Sequence, residues 1–166
     1  MKNRQTVLQL LDTLHIAYTL IEHPAVHTIA DCLSLHGIDL ATTEIPRNAF
    51  LCNRQQTSFY LMLLRHDIPF RTAIVSKALG VSRLSFAPQE RLPSLLGLSA
   101  GAVSPLGLPF DKSHQVSLVL DEGLKAFEYL AFHPCDNTAT AVLSTGDFIH
   151  IYLPAIGRNA CWVDPE

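Results

Sequence analysis

Few positions in this chain carry residue types and spacings suited to chemistry. The first is Gly101-Ala102-Val103-Ser104-Pro105-Leu106-Gly107-Leu108-Pro109-Phe110-Asp111. Glycines and prolines so close together specify a loop of fixed shape. The intervening Val103, Leu106, Leu108 and Phe110 should pack it down onto the protein. Ser104 invites a nucleophile reading, but Pro105 follows it and has no N–H to offer an oxyanion, so Ser104 is not expected to act covalently. It and Pro105 are instead candidate binding residues. The second position is His133, which ends an apolar run just before Pro134. An imidazole there can serve as a general base near neutrality. It can equally sit neutral and brace the Asp136-Asn137-Thr138 turn, and the local pattern favours bracing. Asn137 reads as a turn residue first and a polar pocket wall second. Cys135, two residues from His133, suggests a thiol–imidazole pair, yet no neighbour would depress the thiol pKa. The third position is Arg47-Asn48, a cation and an amide at the start of an apolar run. His27 and Thr28, just after Glu22-His23-Pro24, are candidates for the mouth of a pocket. His23 and His27 are four apart, but Pro24 opposes a helix through both, and no H-E-x-x-H occurs. Neither a metal nor any other cofactor is expected.

The surrounding pattern must position these groups. Val7, Leu10, Leu11 and Leu14 fall at helical spacing and predict a helix over Asn3 to Leu14. Ala17 to Ile21 reads as a strand closed by His23-Pro24. Thr28 is a candidate N-cap for a second helix through Leu35, with Gly37 as its stop. Asn48 to Cys52 and Ser58 to Leu64, joined by a polar stretch, predict a hairpin. A helix is expected over Phe70 to Leu79, a short strand over Arg83 to Ala87, and a helix over Gln89 to Leu96 ended by Gly97. Gln115 to Leu120, Phe127 to His133 and Thr138 to Leu143 complete the strands. Ser144-Thr145-Gly146-Asp147 approximates a capping box for a last helix to about Leu153. Neither regular β-α alternation nor an all-strand pattern emerges, so the order supports an α+β domain.

Bulk properties narrow the class. With 166 residues, 48% hydrophobic and 16% charged, the chain is sized for a single domain, 1–166, with one core, and is not disordered. It shows neither a membrane-length apolar run nor a signal-peptide pattern, which predicts a cytoplasmic protein. The four cysteines, Cys32, Cys52, Cys135 and Cys161, form no C-x-x-C and read as free thiols. A net charge of −3 with scattered basic residues is a poor footprint for gripping long nucleic acid. Neither DNA nor a membrane is expected as a partner. Any RNA contact should be local, weak and salt-sensitive.

Gly101-x-x-x-Pro105, Phe132-His133-Pro134 and Asn137-Thr138-Ala139-Thr140 resemble the YbaK/prolyl-tRNA synthetase-associated domain family. Glu22-His23-Pro24, Arg47-Asn48-Ala49-Phe50-Leu51, Lys77-Ala78-Leu79-Gly80 and Leu84-Ser85-Phe86-Ala87 occur in the family's order, from about Tyr18 to Ile156. The resemblance implies a curved mixed sheet or partial barrel flanked by helices. It also implies a free-standing editing enzyme that hydrolyses mischarged aminoacyl-tRNA, Ala-tRNA(Pro) foremost. The acceptor end of aminoacylated tRNA(Pro) would be its partner, with prolyl-tRNA synthetase a candidate second. On this reading Arg47, Gly101 and His133 are the catalytic candidates. His27, Thr28, Asn48, Ser104, Pro105 and Asn137 are the substrate-binding ones. In the family the Gly-x-x-x-Pro loop surrounds the ester, and its rigid backbone can position water and stabilise an oxyanion. The chain departs from the family at Arg47, where a lysine is usual. Arginine can clamp a phosphate or carbonyl oxygen but cannot replace a compact, shiftable ammonium. Lys77 sits too near the end of its helix to be an obvious substitute. Two alternatives therefore stand: a binding module without catalysis, and a deacylase of Ser- or Thr-charged tRNA.

Overall fold

A computed structural model describes residues 2–166. Its centre is the hairpin of β3 (Arg47–Cys52) and β4 (Phe59–Leu64), paired antiparallel with Phe50 opposite Leu61. Both strands read as nearly continuous apolar runs because both faces are covered. Phe50, Cys52, Phe59, Leu61 and Leu63 enter the main core, whereas Ala49, Leu51, Met62 and Leu64 enter a second cluster under a helix. That alternation is the two-residue period of a strand.

The remaining elements follow in chain order. α1 (Lys2–Thr13) buries Val7 and Leu11. β1 (Tyr18–Glu22) leads to α2 (Ile29–Leu33) and to the two-residue β2 (Thr43–Glu44). After the hairpin come α3 (Thr72–Leu79), β5 (Ser85–Phe86) and α4 (Leu92–Leu96). Then follow β6 (Val116–Asp121), β7 (Tyr129–Phe132) and β8 (Ala139–Ser144). The chain finishes with α5 (Thr145–Asp147), a π-helical turn (Phe148–Tyr152), α6 (Leu153–Ala155) and β9 (Cys161–Val163).

The strands form two mixed sheets that do not close into a barrel. One runs β1-β8-β7-β2 and the other β5-β3-β4-β6-β9. In the first, β2 is parallel to β7 while the other pairs are antiparallel. In the second, β4, β6 and β9 run parallel, and β5 pairs antiparallel with β3. The fold is thus α+β with mixed sheets and flanking helices.

Several predicted boundaries move. The second helix ends at Leu33 with Ser34 as its cap, so Gly37 is not its stop. The strand expected over Phe127 to His133 shortens to β7, because a 3-10 turn over Glu122–Ala126 carries the chain up to Phe127. The expected last helix begins as predicted, with Ser144 Oγ accepting from the Asp147 N–H at 2.9 Å. It then widens into the π turn just ahead of Pro154, which has no N–H to continue an i→i−4 ladder.

Candidate active site

Where the ends of the two sheets meet α2 and the Gly101 loop, a cavity of about 310 Å³ opens. Its apolar lining includes Val26, Ile29, Cys32, Leu35, Ile45 and Ala131, and its polar lining is His27, Thr28, Arg47, Asn48, His133 and Thr140. Ala100, Gly101 and Val103 form another wall.

The entrance is set by a capping box. Thr28 Oγ1 accepts from the Asp31 N–H at 3.1 Å, and Asp31 Oδ2 accepts from the Thr28 N–H at 3.1 Å and the His27 N–H at 3.2 Å. The His27 backbone N–H, then the Thr28 hydroxyl, hold the Asp31 carboxyl below its ordinary range. His27 and Thr28 are thereby fixed at the start of α2, with Cys32 one turn further along and facing the cavity.

Gly101 lies in a 3-10 turn, Ala100–Ala102. A Cβ there would stand 3.2 Å from Asn137 Nδ2 and 4.0 Å from His27 Nδ1. Asn137 does not itself line the cavity. Its Nδ2 donates to the Val26 carbonyl at 2.9 Å, which ties the β7–β8 turn to the segment entering α2. Ser104 and Pro105, expected to bind substrate, are not brought to the cavity. Ser104 is fully buried, and its Oγ accepts from the Leu106 N–H at 3.1 Å, capping the 3-10 run Pro105–Phe110. Pro105 is buried behind it, its carbonyl accepting from the Tyr152 hydroxyl at 2.9 Å. Their physical task is to brace the loop from beneath.

His133 is half-buried and tightly held. Its Nδ1 lies 2.9 Å from the Ala139 carbonyl. A carbonyl only accepts, so Nδ1 carries the hydrogen and Nε2 presents a bare lone pair. That lone pair faces the Cys32 thiol, with Sγ at 3.8 Å. Burial pulls the His133 pKa down from 6.5, so the ring is neutral at pH 7. Behind it, the Thr140 hydroxyl donates to His23 Nε2 at 2.9 Å, because His23 Nδ1 is committed to the Pro24 carbonyl at 2.8 Å. A secondary contact of 3.4 Å joins Thr140 Oγ1 to His133 Nδ1. Cys32, His133, Thr140 and His23 therefore form one connected chain, of which the sequence analysis made only His133 a catalytic or binding candidate. The thiol that pairs with it is Cys32 rather than Cys135. Cys135 turns away toward the Leu106 carbonyl, at 3.6 Å, and burial pushes its thiol up to about 12. Burial, aided by Asp31, also raises the Cys32 thiol, so neither is a ready thiolate.

Arg47 and Asn48 arrive on β3. Arg47 shares the strand face of Ala49 and Leu51, and its Nη2 donates to the Ile68 carbonyl at 2.5 Å, while its Nε is buried without a partner. Asn48 Nδ2 donates to the Pro46 carbonyl at 3.2 Å, which leaves its Oδ1 buried and unpartnered. Unmet polar atoms from adjacent residues at the cavity margin mark a place where a polar ligand can complete the bonding. Lys77 lies in the last turn of α3 and does not line the cavity.

Among the described residues, Glu44, His66 and Asp67 offer ligand atoms within 4.8 Å of one another. Buried Glu44 already pairs there with His66 Nδ1 at 2.5 Å, outside the cavity lining. No helix is long and apolar enough to cross a membrane.

Comparison with known proteins places the chain in a family. Residues 23–151 match the sequence model of the aminoacyl-tRNA editing domain. The chain is 38% identical over 148 residues to the prolyl-tRNA editing protein ProX of Acetoanaerobium sticklandii, covering 89% of this chain and 88% of that one. It is 31% identical over 148 residues to the prolyl-tRNA synthetase associated domain-containing protein 1 of Danio rerio, covering 88% and 79% respectively. A crystal structure of a protein assigned provisionally as a trans-editing enzyme for prolyl tRNA synthetase superposes with a TM-score of 0.72 at 17% identity, covering 100% of this chain and 99% of the other. That likeness extends the agreement to the fold. The chain belongs to the aminoacyl-tRNA editing domain family.

Proposed function

We propose that this chain is a trans-acting deacylase of mischarged tRNA(Pro), with Ala-tRNA(Pro) as its main substrate, working as a single editing unit over residues 1–166. The observation that carries this reading is the cavity itself, which brings the Gly101 turn, the Arg47-Asn48 pair and the neutral His133 around one space of about 310 Å³. The family membership and the relatives' names support it.

An aminoacyl ester is already activated, so the site must hold the carbonyl, orient water and place charge. The small amino-acid side chain would enter the apolar lining around Ile29, Cys32, Ile45 and Ala131. The ester would lie against Gly101, where the absence of a Cβ permits close approach. Arg47 Nε would donate to the terminal phosphate or ribose, and Asn48 Oδ1 would accept from a ribose hydroxyl. Water would attack the carbonyl carbon, His133 Nε2 would accept its proton in place of its contact with the Cys32 thiol, and the ribose oxygen would leave as a hydroxyl with that proton returned. The adjacent ribose hydroxyl is a second route for that proton. Side chains and backbone supply each of these tasks, so the proposed step is metal-independent. Acting on charged tRNA of the cytoplasm, the enzyme would work there.

Deacylation of tRNA(Pro) charged with alanine, serine, threonine or proline tests this directly. Alanine should be released fastest and proline spared. A small cavity excludes larger side chains by clash, but separates neighbours differing by one methylene only modestly. If micromolar enzyme leaves all four esters intact, the proposal fails.

One observation favours a second reading, a binding module without turnover. The Arg47 guanidinium is tied to the Ile68 carbonyl rather than free in the cavity. Binding of charged tRNA without hydrolysis, with turnover appearing in Arg47→Lys, would select that reading.

A further inference from the structure

We propose that Phe86 and Phe70 form a stacking platform for the bases of a single-stranded 3′ nucleic-acid end. Phe86 is a large aromatic left 65% exposed. It sits on β5, the edge strand of the five-stranded sheet, so nothing from this sheet covers its outer side. Phe70 meets it with ring centroids 5.4 Å apart at 54°.

Charge selects the occupant. Arg71 adjoins Phe70 and Arg83 lies three residues before Phe86, and both are exposed. Among the described residues, Arg4, Arg65 and Arg158 are paired with carboxylates, whereas Arg71 and Arg83 have none within bonding distance. In a chain of net charge −3, two free cations that flank an open aromatic pair in sequence suit a phosphate backbone carrying stackable bases.

Position connects this surface to the cavity. Phe86 is in register with Leu51, on the β3 face that Ala49 and Arg47 share. Arg47 in turn donates to the Ile68 carbonyl, two residues before Phe70. The segment from Ile68 to Arg71 thus runs from the cation at the cavity margin to the platform. A strand whose terminal ester enters the cavity would follow this segment, with its preceding nucleotides toward Phe86. This inference rests on the deacylase reading for the direction of the strand, and deepens it by assigning the surface that holds the unpaired bases.

The probe is an uncharged RNA hairpin with an unpaired 3′ tail, measured by fluorescence anisotropy, beside deacylation of Ala-tRNA(Pro). Phe86→Ala should weaken hairpin binding by about fivefold to a hundredfold. Phe86→Tyr should retain wild-type affinity, and a hairpin without the tail should bind wild type and Phe86→Ala alike. Arg71→Gln with Arg83→Gln should flatten the salt dependence. Melting curves verify that each exposed variant stays folded. Equal affinity of folded Phe86→Ala and wild type for the tailed hairpin overturns the platform, whatever the deacylation result. Loss of prolyl-tRNA synthetase binding with RNA affinity unchanged does the same, making the surface a protein interface. Tail-dependent binding through Phe86 in a protein that hydrolyses no ester leaves the platform standing and removes the deacylase reading instead.

Discussion

Gly101 and His133 exert their influence through very small distances. A Cβ at position 101 would press on Asn137 Nδ2 at 3.2 Å, and that amide holds the Val26 carbonyl in front of α2. Gly101→Val should therefore disturb the wall of the cavity on two sides. Steady-state kinetics should show a loss in kcat/KM of about a hundredfold, the scale of an ångström-sized misplacement, with a smaller effect on melting temperature. His133 makes a prediction in pH. Its folded pKa is lowered by burial, so between its unfolded value of 6.5 and the lower folded one the unfolded state binds the extra proton. Its contribution to stability is undiminished above pH 6.5 and declines as pH falls toward the folded pKa. Melting temperatures across that window should fall more steeply for wild type than for His133→Gln. Parallel slopes would contradict the buried neutral ring. Thr28 was legible as a cap because a threonine ahead of a helix favours the N-cap position. Cys32 was not. It reads as one more apolar helix residue, and its partner His133 lies 101 positions away.

At the scale of elements, the cavity depends on a loop held from behind. Arg158, almost wholly buried, donates to the carbonyls of Val116 at 2.7 Å, Leu108 at 3.2 Å and Asp111 at 2.8 Å, and to Asp111 Oδ2 at 3.0 Å. Asp111 in turn accepts from the N–H groups of Gln115 at 3.0 Å and Val116 at 2.8 Å. This single side chain ties the 3-10 run after Ser104 to β6 and to the segment before β9. Arg158→Ala would strand a buried carboxylate, and chemical denaturation should register a loss of about 3–5 kcal/mol. Arg158→Lys should cost less by keeping the charge while losing the fork. The β3–β4 hairpin was readable because two apolar runs flank a polar turn. β2 and β9 were not, since they have two and three residues and exist only through parallel pairing with β7 and β6. Ser104 and Pro105 belong to the same difficulty. Their types indicate a rigid loop, but which side of it faces the cavity is decided by Tyr152 and Arg158, far along the chain.

The whole molecule carries a net charge of −3, and its polar cavity groups cluster at one end of two unclosed sheets. Long-range attraction for a polyanion is therefore weak, and contact must come from a few local cations. KM for charged tRNA should rise with ionic strength while kcat stays nearly constant, as expected when salt weakens encounter but not chemistry. The α+β class was legible from the irregular order of elements. Division into two mixed sheets was not, because each depends on pairings across more of the chain than any local pattern spans. The measurement that bears most directly on the account is hydrolysis of Ala-tRNA(Pro) by wild type, Arg47→Lys and Arg47→Ala at one salt concentration. The account predicts robust turnover by wild type, retained in part by Arg47→Lys and lost in Arg47→Ala. An inert wild type, or an Arg47→Ala variant as active as wild type, would contradict it.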